Sequence, residues 1–317
     1  MSKNRPILVT GCPRSGTSWV GNVISSSPGV FQLYEPFNPD APVNLNVPER
    51  FYHMTDDTPI ALKRELAELI QLGDVSRRFF RLPIGVAQAR AAERNPAAHF
   101  AVQRLRAGQP FLSPHRVCVK DPIGLYAADW LAREHDAMGV VMVRHPCAVI
   151  SSYLALGWES EMPTLINRAL PEGAEYLVPK CEAYRRGEID KLDALILQWQ
   201  ILTEETLALH KRHPEWLFVV HDRLCEAPEI WFEFIFRALD LPFDQKTRAK
   251  VTAESSSKNK VDPRQHVQHS HTRDSKSLAT AWRARLDSDV ADQILAQATG
   301  TWERALAAFP ERPGVAA

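Results

Sequence analysis

The segment of the chain best suited to bind a charged group is a glycine-containing turn near its N-terminus. Residues 11–18 read Gly-Cys-Pro-Arg-Ser-Gly-Thr-Ser, after an apolar run at Ile7–Thr10 that predicts a strand and before a helical pattern at about 17–26. A turn that joins a strand to a helix directs several backbone N–H groups and the helix dipole at one spot, which favours phosphate. Two hydroxyl side chains and the cation of Arg14 add to this effect. The turn therefore predicts a phosphate-binding loop.

This loop differs at one position from the loops that hydrolyse ATP or GTP. Such loops carry a lysine directly after the second glycine, and that position here is Thr17, while the cation is at Arg14. We also identify no strand that ends in the aspartate needed to hold magnesium. Nucleotide hydrolysis is therefore disfavoured. A surface turn without a ligand is the alternative interpretation, and the flanking strand and helix argue against it.

A second predicted strand also ends in a cation. Val140–Arg144 is apolar up to its last residue, Pro146 suits the first turn of a helix, and Ser152 lies about two helical turns further on. Arg144 and Ser152 can therefore converge on one phosphate, although local structural roles for both are the alternative. Two separate anion sites suit a ligand with two phosphate groups at different positions and do not suit ATP.

Short apolar runs alternate with segments of helical period, which predicts a parallel sheet with helices on both faces. The predicted strands are 7–10, 30–34, 117–120, 140–144 and 217–221, and a long helix is predicted at about 191–213. We interpret residues 1–317 as a single α/β domain whose central parallel sheet has about five strands. Two segments, at about 36–116 and 157–190, are longer than the connections of such a fold require and are interpreted as insertions.

The two anion sites together resemble those of a known family. Pro-Arg-Ser-Gly-Thr-Ser-Trp at residues 13–19 is similar to the loop with which sulfotransferases bind the 5′-phosphosulfate of their donor, 3′-phosphoadenosine-5′-phosphosulfate (PAPS). The eight-residue spacing from Arg144 to Ser152, with Tyr153 next, resembles the segment that binds the 3′-phosphate. The resemblance covers most of 6–36, 116–156 and 191–300. It implies a three-layer P-loop fold and a PAPS-dependent O-sulfotransferase that releases 3′-phosphoadenosine-5′-phosphate (PAP).

The resemblance also assigns residues to the donor. These are Pro13, Arg14, Ser15, Gly16, Thr17, Ser18, Arg144 and Ser152, together with Arg273 in a weakly matched basic segment near the C-terminus.

Two further charged residues follow predicted strands and are candidates for catalysis. Glu35 stands in Leu-Tyr-Glu-Pro, where Pro36 holds it near the carboxyl end of its strand, the sheet edge at which we expect the phosphate loop. This segment resembles the carbohydrate branch of the family, which implies Glu35 as the base. Lys120 ends the third strand, where relatives often have a lysine, so Lys120 and Arg14 are expected to stabilise the transferred group.

The base assignment keeps one alternative. The small-molecule branch of the family has a histidine base where this chain has Pro122, so that branch's base has no counterpart at this position. The neighbouring Asp121 remains an alternative base, or a cap of the next turn.

The composition argues against several other classes of protein. The 317 residues include 38 basic and 38 acidic side chains, which argues against a nucleic-acid-binding protein. No apolar run reaches the roughly 18 residues of a transmembrane helix, and five scattered cysteines predict free thiols in a reducing cytoplasm. No metal is expected, because arginine and lysine can stabilise the charge of the transferred group.

The sequence leaves the acceptor and two other functions open. The acceptor is expected to be a hydroxyl-bearing carbohydrate-like or small molecule, such as a glycan or glycolipid, contacted by the two insertions. The alternatives to a sulfotransferase are a P-loop kinase or NTPase with an unusual loop, and a non-catalytic protein that binds PAP or another nucleotide.

Overall fold

The computed structural model describes residues 5–41, 45, 47–71, 116–259, 274–309 and 311. Within these residues, five strands form one sheet with the order β2-β3-β1-β4-β5. The strands are β1 (Ile7–Gly11), β2 (Val30–Tyr34), β3 (Arg116–Lys120), β4 (Met138–Val143) and β5 (Leu217–Val220). β3 pairs in parallel with β1 and β2, and β4 pairs in parallel with β5. The predicted α/β fold with a parallel sheet of about five strands is confirmed.

The described helices lie mostly where the sequence has a helical period. They are α1 (Thr17–Ile24), α2 (Ile60–Gln71), α3 (Ala128–His135), α4 (Pro146–Leu156), α5 (Met162–Leu165), α6 (Val178–Arg185), α7 (Lys191–Arg212), α8 (His221–Glu226), α9 (Pro228–Ala238), α10 (Gln245–Ser255), α11 (Ser275–Thr280) and α12 (Ser288–Ala308). The long helix predicted at about 191–213 is α7, which begins after Asp190, whose side chain accepts a hydrogen bond from the N–H of Asp193. None of the described helices has the length and apolar character needed to cross a membrane.

The chain divides into two compact units. The first comprises Met1–Thr10 and Val20–Gly139, and the second comprises Gly11–Trp19 and Val140–Ala317. The interpretation of the chain as a single domain with two insertions stays a prediction.

The first unit is built around the buried strands β1, β2 and β3. Side chains of all three strands are almost completely buried, which explains why the strands appear in the sequence as continuous apolar runs. The backbone continues this pairing beyond the strand ends, since the N–H of Glu35 donates to the carbonyl of Lys120 at 2.8 Å and that of Asp121 donates to the carbonyl of Val9 at 2.9 Å. The polar residues that follow β2 and β3 are therefore held side by side.

The second unit contains β4, β5, α4 to α12 and residues 11–19. Its core includes the long helix α7, which packs against α4, α5 and α12. Trp199 of α7 is 1% exposed, and its indole N–H donates to the carbonyl of Arg144 at 3.1 Å. α7 thus fixes the backbone at the end of β4, where the second anion site is predicted.

Candidate active site

In the second unit, the predicted phosphate loop makes two close contacts that require its glycines. Gly11 has a φ of 136°, and a Cβ atom there would lie 2.2 Å from the carbonyl oxygen of Met142. Gly16 has a φ of 96°, and a Cβ atom there would lie 2.5 Å from a ring carbon of His221. A side chain at either position would have to displace backbone or a buried ring, so the sequence Gly-x-x-x-x-Gly sets the shape of the loop.

The hydroxyl groups of the loop are arranged for a ligand. Ser15 is completely buried, and its side-chain oxygen has no hydrogen-bond partner among the described residues. A buried hydroxyl without a partner is unfavourable, and an oxygen of a bound phosphate would satisfy it. The other loop residues assigned to the donor are Pro13 and Thr17, which are buried, and Gly16 and Ser18, which are partly exposed.

Arg14, Arg144 and Ser152 lie together in this unit. The guanidinium Nη1 of Arg144 donates to the carbonyl oxygen of Arg14 at 2.8 Å. The Nε of Arg14 donates to the Oγ of Ser152, also at 2.8 Å. Arg144 is 8% exposed and Ser152 is 7% exposed. Residues that are 138 positions apart in the sequence thus form one cluster with two cations and the hydroxyl group of Ser152, which is suited to an anion.

His145, which sequence reasoning missed, supports the strand end that carries Arg144. Its Nδ1 accepts a hydrogen bond from the N–H of Cys147 at 3.2 Å and so caps α4. Its ring stacks on that of Trp282, with centroids 5.0 Å apart and planes 8° apart. Burial and the charges of Arg283 and Arg144 lower the pKa of His145 to about 4. The imidazole is therefore neutral at pH 7, and its Nδ1 lone pair is available for the cap.

The first unit holds Lys120 in a buried ion pair. The side chain of Lys120 is only 1% exposed, and its ammonium group pairs with Oε1 of Glu35. The ammonium also lies 4.0 Å from the centre of the Tyr34 ring. Its aliphatic part passes α1 at Gly21, where a Cβ atom would lie 2.6 Å from Cγ of Lys120. The glycine in α1 therefore leaves the space that Lys120 occupies.

Glu35 is held in one orientation by its neighbours. Its backbone has a φ of 48°, unusual for a residue other than glycine, and its Oε2 accepts a hydrogen bond from Asn38 at 2.7 Å. Burial raises the pKa of Glu35, but the charge of Lys120 and hydrogen bonds from Lys120, Asn38 and Tyr34 outweigh burial and lower it below its usual value. Glu35 is therefore an ionised carboxylate with 14% of its side chain exposed.

Asp121, the alternative base, has a different environment. It is completely buried, with Oδ2 accepting from the N–H of Phe37 at 2.7 Å and Oδ1 accepting from the N–H of Ile123 at 3.0 Å. Burial and the negative charge of Glu35 raise its pKa to about 7, although both backbone hydrogen bonds and Lys120 oppose this shift. The two carboxylates therefore differ in their partners. Asp121 accepts backbone N–H groups and joins the turn after β2 to the turn after β3, whereas Glu35 pairs with the side chain of Lys120.

The remaining predictions concern other parts of the chain. Arg273 lies outside the described residues. No group of described histidine, cysteine, aspartate and glutamate side chains is arranged to hold a metal ion. Within 157–190, which we predicted to contact the acceptor, α5 and α6 border a cavity of about 220 Å³. It is lined by Leu165, Ile166, Arg168, Leu170, Val178, Cys181, Arg185 and Ile201, and none of these is a predicted site residue.

Comparisons with known proteins place the chain in a family. A family model described as the sulfotransferase family matches residues 6–245. Similar solved structures include sulfotransferase STF9 from Mycobacterium avium, with 15% identity, a TM-score of 0.42 and coverage of 95% of this chain and 77% of that one. Sulfotransferase STF1 from Mycobacterium tuberculosis H37Rv has 17% identity and a TM-score of 0.38, covering 80% and 72%.

A third solved structure is mouse sulfotransferase SULT7A1 complexed with PAP, with 13% identity, a TM-score of 0.40 and coverage of 97% of this chain and 88% of that one. A comparison with curated proteins finds no match. The family match from residue 6 to residue 245 spans more than half of the chain, which therefore belongs to the sulfotransferase family.

Proposed function

We propose that this protein transfers the sulfuryl group of PAPS to a hydroxyl group of a carbohydrate-like or small-molecule acceptor and releases PAP. The observation that carries the proposal is the cluster of Arg14, Arg144 and Ser152 beside the phosphate loop of the second unit. Two cations and a hydroxyl group beside this loop suit a donor with phosphate groups on both sides of its ribose. The family assignment supports sulfuryl transfer over phosphoryl transfer.

In this proposal the second unit binds the donor. The backbone and hydroxyl groups of residues 13–18 hold the 5′-phosphosulfate, and the oxygen of Ser15 gains the partner that the protein does not provide. Arg144 and Ser152 hold the 3′-phosphate. Arg273 contributes a further cation.

The reaction forms a bond between the acceptor oxygen and sulfur and breaks the bond between sulfur and the bridging oxygen of the 5′-phosphate. Negative charge grows on the leaving phosphate, where Arg14 and Lys120 stabilise it. Glu35 takes the proton of the acceptor hydroxyl. When Glu35 becomes neutral, the ammonium group of Lys120 loses the negative partner of its buried ion pair.

Two alternatives make different predictions about ligands. A kinase or NTPase would bind ATP or GTP with magnesium, which the threonine in place of the loop lysine disfavours. A non-catalytic PAP-binding protein would bind PAP and tolerate the loss of Glu35.

We also propose a cytoplasmic location, supported by five buried cysteines that are all free thiols.

Thermal unfolding with PAP, ATP or GTP tests the donor. At a PAP concentration 100 times its Kd, binding stabilises the protein by about 2.7 kcal/mol, which raises Tm by roughly 4 °C for a protein of this size. We expect this shift with PAP and a much smaller one with ATP or GTP. Arg144→Gln should abolish it, whereas Arg248→Gln, a matched change in an ion pair between α10 and α9, should retain it. A shift with ATP that exceeds the shift with PAP would refute the donor assignment.

The acceptor requires a separate screen. Incubation with PAPS labelled in its sulfuryl group and a panel of glycans, glycolipids and small alcohols should label a hydroxyl-bearing member of the panel. Labelling of amines alone would contradict the proposed O-sulfotransferase.

A further inference from the structure

We infer that Trp158 is a positioning residue for Arg14, so that the segment that begins after α4 sets the position of the cation in the donor loop. The central carbon of the Arg14 guanidinium lies 5.5 Å from the centre of the Trp158 ring. This is within the range of a cation–π contact, for which tryptophan is the strongest partner. The inference rests on the proposed function, because it concerns how Arg14 is presented to PAPS.

The indole of Trp158 is itself held in place by the end of α4. Gly157 ends the helix in the left-handed conformation, with a φ of 65°, and the N–H of Trp158 donates to the carbonyl of Tyr153 at 3.0 Å. The Tyr153 ring meets the indole edge-on, with centroids 5.5 Å apart and planes at 90°. The ring on which Arg14 rests thus has a fixed position relative to α4.

α4 also carries Ser152, the hydrogen-bond acceptor of Arg14. One helix and the residue just past its end therefore restrain the same guanidinium in two ways. Ser152 provides a directional oxygen, and Trp158 provides a face that restricts how the planar group can turn. An arginine side chain has many rotamers, so a side chain that is already ordered loses less entropy when it binds an anion. This gives Trp158 a role in donor binding without contact with the donor.

Two substitutions separate the cation–π contact from the bulk of the ring. Trp158→Leu removes the aromatic face, and we expect the Kd for PAP and the KM for PAPS to rise about 3- to 10-fold, the range that a cation–π contact of a partly exposed pair implies. Trp158→Phe keeps a weaker aromatic face, so these constants should rise about twofold or less. The KM for the acceptor should not change. Phe234→Leu is the matched control, because it removes the ring beside Arg237 on α9 and should leave all constants unchanged.

A double-mutant cycle with Arg14→Ala shows whether Trp158 acts through Arg14. Arg14→Ala should weaken PAP binding at least tenfold, and adding Trp158→Leu should then have no further effect, measured by calorimetry on variants whose folding is checked by circular dichroism. A further 3- to 10-fold loss in the Arg14→Ala background would overturn the inference, as would equal losses in the Leu and Phe variants. If the wild type binds PAP and Trp158→Leu binds it equally well, the inference is overturned and the proposed function is not. No PAP binding by the wild type would overturn the proposed function and, with it, this inference.

Discussion

Replacing Glu35 with glutamine removes one negative charge from the first unit and leaves an oxygen that can still accept the hydrogen bond from Asn38. The size and shape of the side chain hardly change, so the turn after β2 should keep its conformation. What is lost is the ability to take a proton at neutral pH. Since general-base catalysis contributes about 10²- to 10⁴-fold to a rate, we expect kcat to fall by a factor in that range.

The same substitution should lower stability by a separate route. Lys120 is 1% exposed, and Glu35 is the carboxylate paired with its ammonium group. Removing one partner of a buried pair typically costs about 3–5 kcal/mol. Because glutamine still offers an oxygen and position 35 is 14% exposed, we expect a smaller loss of about 2 kcal/mol. For a protein of this size that corresponds to a Tm lower by roughly 3 °C.

Two further variants separate catalysis from stability. In Glu35→Gln/Lys120→Met the buried charge is gone, so Tm should recover while turnover stays low. Glu204→Gln breaks another pair, with Arg304 in the second unit, where Glu204 is 6% exposed and Arg304 is 48% exposed. It should lower Tm and leave turnover within about twofold of the wild type.

The assay is transfer of labelled sulfuryl from PAPS to the acceptor found in the screen, with PAP affinity measured by calorimetry. We expect Glu35→Gln to bind PAP within about twofold of the wild type, because the residues assigned to the donor are unchanged. Turnover of Glu35→Gln within tenfold of the wild type would show that Glu35 is not the base. A parallel loss of PAP affinity would show that the defect lies in donor binding.

Further substitutions test single contacts. Gly21→Ala should lower the free energy of unfolding in urea by about 1–3 kcal/mol, because its methyl group would lie 2.6 Å from Cγ of Lys120. The control Gly300→Ala in α12, where the nearest side-chain atom would lie at 3.8 Å, should raise it by about 0.5–1 kcal/mol. Equal effects of the two substitutions would refute the steric overlap at Gly21. Gly16→Ala should abolish the Tm shift with PAP, because the loop needs a φ of 96° there, and a retained shift would contradict this. The pKa of His145 is about 4 in the folded protein, against its usual value of 6.5. Its contribution to stability is therefore complete above pH 6.5 and is lost as the pH falls towards 4. Between pH 7 and 4.5 the free energy of unfolding should therefore fall less in His145→Phe than in the wild type.

The strands could be predicted because each is buried on both faces and therefore appears as an unbroken apolar run. The turn at residues 11–16 could be predicted because Gly11 and Gly16 are needed for conformations that few other residues adopt. The contacts of Trp199 and Trp158 could not be predicted in this way. Their contacts with Arg144 and Arg14 join positions far apart in the chain, and no local pattern distinguishes such a tryptophan from one that only fills the core.

The sequence left Glu35 and Asp121 as alternative bases, because both follow a strand at the expected sheet edge. Their hydrogen bonds favour Glu35. Both oxygens of Asp121 accept backbone N–H groups that are buried with it. Protonating Asp121 would weaken the contact with Phe37, which joins the turns after β2 and β3, and the contact with Ile123 within the turn after β3. Among the described residues, the carboxylate of Glu35 accepts hydrogen bonds from the side chains of Lys120, Asn38 and Tyr34. A proton arriving on Glu35 therefore disturbs side-chain contacts rather than backbone contacts, and this supports Glu35 as the proposed base.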